Sequence, residues 1–92
     1  MTADERTYAL IHVYAAAPEW TLWAGRRRLT GVVAIVATEL ESTDTRDKRE
    51  LLRRIRPRIK KAYGAFWVFI LIRIAAIVIE WWLKREKECE AV

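Results

Sequence analysis

A single charge, Arg73, stands in residues 65–79, a stretch otherwise free of charge. A guanidinium in so apolar a setting points to electrostatic recognition rather than bond-making chemistry. At the centre of a bilayer it costs about 3 kcal/mol on the most lenient insertion scale, so it should face protein and not lipid. Glu80 lies seven residues further on, on the same helical face. The intervening rise of about 10 Å is long for a direct contact. An acid or carbonyl on a neighbouring helix is therefore an equally good partner. Glu19, Glu39 and Glu41 are the intrachain alternatives if the N-terminal half folds back. Small residues beside this charge allow close helix approach: Gly64 and Ala65 at the start of the run, Ala76 in its second half. With Arg73 and Glu80, these are the expected partner-binding residues.

The second constellation is basic. Residues 46–61 hold nine Lys or Arg against two acids. Arg49, Arg53, Arg54, Arg56, Arg58, Lys60 and Lys61 are expected to attract anionic lipid, at about 1 kcal/mol per cation near the surface. Nucleic acid is the weaker alternative. A pI near 9.8 suits it, but no base-reading motif accompanies the charge, and the run abuts the most apolar segment of the chain. A merely solvated helix face is the plain reading.

Residues for other chemistry are sparse. His12 is the only histidine and Cys89 the only cysteine, which argues against a structural zinc site and rules out an internal disulfide. Cys89 sits between Glu88 and Glu90, whose charges disfavour a thiolate. Gly25, Gly31 and Gly64 are too scattered for a phosphate loop. Asp44 and Asp47 match no calcium loop and read as helix caps. No enzyme, metal or cofactor is expected.

The elements that would position these groups read as helices. Thr2 and Glu5 have capping-box spacing ahead of a helix over 3–17. Pro18 ends it or opens another, and Gly25 stops a short second turn. Residues 29–40 are too short to cross a bilayer. Their β-branched residues suit a strand and their alanines a buried helix, with helix favoured. Thr43 or Asp44 would cap a basic amphipathic helix carrying Leu51, Leu52, Ile55 and Ile59 on one face. Pro57 is expected to kink or divide that helix. Residues 62–83 then form an apolar helix long enough to span ~30 Å of hydrocarbon. Trp20, Trp23, Trp67, Trp81 and Trp82 fall near the ends of apolar stretches, as an interfacial belt places them.

The expected fold is therefore mainly α: an N-terminal helical or interfacial segment (1–43), a basic juxtamembrane helix (44–61), a transmembrane helix (62–83) and a charged tail (84–92). The acidic start lacks the basic region of a secretory signal, so insertion would fall to 62–83. The basic collar predicts a single pass with residues 1–61 cytoplasmic and Cys89 on the opposite side. Such a layout occurs in small accessory subunits of membrane complexes and in holin-type pores, an analogy of architecture alone. The expected function is a non-catalytic accessory or assembly subunit, joined to other membrane helices or to itself. The alternatives are a holin-type pore and a soluble structural or scaffold subunit, of viral type among others, with a buried apolar helix and a basic helix that binds nucleic acid or a partner.

Overall fold

The computed structural model describes residues 1–90, with side chains through residue 88. Four helices follow in chain order: α1 (Ala3–Ala16), α2 (Pro18–Ser42), α3 (Lys48–Tyr63) and α4 (Ala65–Glu90), with no strand among the described residues. Residues 29–40 are thus helical, their valines packed into a shared core rather than a sheet.

Local chemistry accounts for most boundaries. The Glu5 amide donates to Thr2 Oγ1 at 3.2 Å, and the Thr2 amide donates to Glu5 Oε1 at 2.8 Å, which completes the capping box of α1. The bond from the Thr2 amide holds the Glu5 carboxyl below its ordinary pKa. Ala17 leaves helical geometry and Pro18 opens α2. The α3 cap is Asp47, whose carboxylate accepts from the Arg49 amide at 3.0 Å. That cap lies a turn later than Thr43 or Asp44, because residues 43–47 are taken up in reversing the chain.

Two glycines redirect the backbone. Gly25 interrupts α2 at φ 79° and Gly64 ends α3 at φ 90°, values that side-chain-bearing residues rarely adopt. Before Gly25, His12 stacks on Trp81 and Arg73 lies over Trp20. After it, Arg28 lies over Trp67, and Glu41 pairs with the N-terminal ammonium beside α1. The chain therefore runs up through 3–24, down through 26–42, up in α3 and down in α4. This is an up-down-up-down bundle, 41 Å along its longest axis. Here α4 contacts all three other helices, while α1 and α3 do not touch. Leu29, Val32, Val36, Leu51, Ile55, Ile59, Leu71, Ile74 and Val78 are fully buried between them.

Two expectations change. Pro57 neither divides nor ends α3, which continues to Tyr63. Pro57 and Arg53 are both exposed, so the Arg53 carbonyl that proline leaves without an amide partner can face water. The change of direction comes at Gly64 instead. The apolar helix consequently begins at Ala65, not at residue 62.

Candidate functional site

Arg73 is exposed on α4, and its guanidinium lies 5.0 Å from the Trp20 ring centroid. It lines a groove with Glu19, Trp20, Trp23, Phe69 and Ile70. No carboxylate among the described residues lies within ion-pair distance of it. Of the acids expected to answer it, Glu19 alone shares its groove. Glu80 pairs with Lys48 at the start of α3, Glu41 with the N-terminus and Glu39 with α3. An aromatic face thus occupies the place expected for an acid. Such a contact contributes about 0.5–1 kcal/mol where water reaches it.

The small residues separate. Gly64 is the turn itself, exposed at the α3–α4 junction, and Ala65 is the exposed first residue of α4. Ala76 is half-buried, whereas its neighbour Ala75 is fully buried in the bundle. Gly31 leaves room for the Tyr63 ring, which lies where a Cβ at 31 would stand.

The basic helix divides by face. Leu51, Ile55 and Ile59 point into the core. Arg54 and Arg58 turn toward α2, where they meet Glu39 at 3.7 and 3.4 Å. Glu39 is only 4% exposed, and a carboxylate so buried needs this pairing. Arg53 and Arg54 also reach Glu50 one turn back on α3. At the lower end, Lys48 pairs with Glu80 and Arg46 with Glu86 on α4. Arg49, Arg56, Lys60 and Lys61 are exposed and without an ion pair among the described residues. Of seven expected lipid-binding cations, these four are the ones free to meet an external anion.

Sequence reasoning did not place Arg28 over Trp67, which sets Arg26–Arg28 and Lys60–Lys61 at the same end of the bundle. Nor did it pair Glu39 with the collar. The available signal was the pair of glycines, Gly25 and Gly64, each between an aromatic-bearing stretch and a basic one. The side chain of Cys89 lies outside the described residues, as does its expected position across a membrane. No group of three or more His, Cys, Asp or Glu able to hold a metal occurs among the described residues. Comparison of the chain with protein-family models, curated proteins and solved structures finds no match.

Proposed function

We propose that this chain is a non-catalytic helical membrane protein acting as an accessory or assembly subunit, with α4 as its membrane element and the N-terminal side cytoplasmic. One observation carries the reading. Residues Ala65–Glu88 form a helix long and apolar enough to cross a bilayer, and only 33% of its most apolar window is buried within the bundle. Phe66 and Phe69 stand bare on it, and Ile70, Ile72 and Ile77 are only partly covered, which leaves apolar surface for lipid or for the helices of a partner. Orientation follows from charge. Arg26–Arg28 join Lys60 and Lys61 beside the start of α4, which strengthens the cationic bias at that end. Arg73, held by an aromatic ring and not by an acid, remains available to a partner carboxylate. The test is membrane fractionation of the expressed chain. Retention through carbonate washing supports the reading; complete release without detergent rejects it. Loss of membrane integrity on expression would instead mark a holin-type pore.

A soluble scaffold subunit is the second reading, favoured by a specific feature. In the closed bundle, cationic α3 lies along α4 and is tied to it by Lys48–Glu80 and Arg46–Glu86. Hydrocarbon does not accommodate so charged a neighbour. For α4 to span, α3 must swing away about Gly64. A chain that stays monodisperse in water without detergent supports the scaffold.

A further inference from the structure

We infer that the end of the bundle where the chain turns at Gly25 and Gly64 docks end-on against an anionic bilayer. This rests on the membrane reading only in requiring a bilayer; α4 need not cross it. Both turns belong to one end, since Arg28 of the first covers Trp67 of the second. A Cβ on either glycine would meet nothing within 4 Å, so both turns project freely.

Four large apolar side chains stand bare at this end: Leu22 at 84%, Trp23 at 69%, Phe66 at 71% and Phe69 at 67% exposed. They are the most exposed large hydrophobic residues described; the remaining three, Tyr8, Ile11 and Tyr14, lie on α1. An apolar cluster of this kind needs a cover. The surrounding charge says what covers it. Arg26, Arg27, Lys60 and Lys61 are exposed there without an ion pair among the described residues; 20–28 and 60–69 contain no acid, and Glu19, which borders the cluster in the groove of Trp23 and Phe69, shares that groove with the cation Arg73. Apolar and aromatic side chains ringed by cations match the boundary between anionic headgroups and acyl chains, where the rings enter and the cations stay with phosphate. The first turn of α4 opens here with no acidic residue, so its N-terminal amides add to the positive field.

The test is flotation of the full-length chain with vesicles of about one-third phosphatidylserine in phosphatidylcholine. Arg26→Glu with Arg27→Glu reverses two cations of the end; Lys84→Glu with Lys87→Glu reverses two exposed cations near the opposite end of α4. The net charge change is the same. The first pair should weaken binding about tenfold or more, the second no more than about twofold. Leu22→Ser with Phe66→Ser should also weaken binding to the same vesicles. Circular dichroism confirms folding of each variant, and Arg26→Gln with Arg27→Gln replaces any that fails it. Equal losses from the two charge pairs overturn the proposal. So does a parent chain that ignores these vesicles, or one that binds duplex DNA in their place. A carbonate wash separates the two readings: docking that depends on the end residues yet is fully removed by carbonate upholds this proposal and rejects the crossing of α4.

Discussion

The ring of Tyr63 occupies the space that Gly31 leaves empty: a Cβ at 31 would stand 1.7 Å from its hydroxyl oxygen and 2.9 Å from the ring carbon bearing it. The last residue of α3 is thereby seated on α2, one position before the turn at Gly64. Gly31→Ala should gain about 1 kcal/mol of helix propensity and lose more by displacing the ring, for a net destabilisation of about 1–2 kcal/mol. Tyr63→Ala should relieve the clash. The two changes together should then fall well short of additive in denaturant unfolding. Strict additivity would show that the ring finds another seat at no cost.

Glu39 predicts an asymmetry. Arg54 and Arg58 are half-exposed, so Glu39→Gln leaves cations that water can solvate, at a cost of about 1 kcal/mol. Arg54→Leu with Arg58→Leu strands a buried carboxylate, which costs about 3 kcal/mol or more. Chemical denaturation of the two variants checks the order. A larger loss from Glu39→Gln contradicts the assignment of the buried partner.

These two contacts mark where sequence ceased to be readable. Local rules identified the capping box of Thr2 and Glu5, the opening of α2 at Pro18, the break at Gly25 and the apolar stripe of Leu51, Ile55 and Ile59. Each depends on residues within a turn or two. Pro57 misled, because the cost of a proline depends on whether the carbonyl it orphans can reach water. The partners of Glu39 and Glu80 lie fifteen or more residues away in sequence, so spacing within one helix could not supply them. Arg73 drew attention as a charge lacking a carboxylate, and the aromatic ring that meets it arrives only when α2 folds back.

The Glu5 cap makes stability depend on pH in a defined direction. Its folded pKa lies below the ordinary value because its carboxylate accepts the Thr2 amide. The contribution of a lowered carboxylate is present above its unfolded pKa, ~4.3, and is lost as pH falls through the folded value. Helicity of α1 should therefore loosen on acidification below that range. Glu5→Gln, which keeps an acceptor without the charge, should flatten the response. An identical acid profile for parent and variant rules out the cap as its source.

Arg73→Leu should divide insertion from assembly. Removing the charge should raise the carbonate-resistant fraction, since the most costly residue of the span is gone. The isolated bundle should lose about 0.5–1 kcal/mol with the Trp20 contact. If a partner carboxylate answers Arg73 in a complex, recovery of that complex in mild detergent should drop. Unchanged recovery removes Arg73 from the docking surface.

The pairs Lys48–Glu80 and Arg46–Glu86 set the last expectation. They fasten the start of α3 and the connection before it to the second half of α4, and each contributes about 0.2–1 kcal/mol at the exposed surface. The closed bundle and a spanning α4 exclude each other, because hydrocarbon cannot surround α4 while cationic α3 remains attached. Weakening the fastening should therefore favour the membrane. Arg46→Glu with Lys48→Glu replaces two attractions by two repulsions and leaves the apolar sequence of α4 untouched. The variant should be less stable in water and more resistant to carbonate extraction than the parent, and restoring the pairs with Glu80→Lys and Glu86→Arg should reverse both effects. A variant that loses stability without any gain in membrane retention would show that release of α3 is not what holds α4 out of the bilayer.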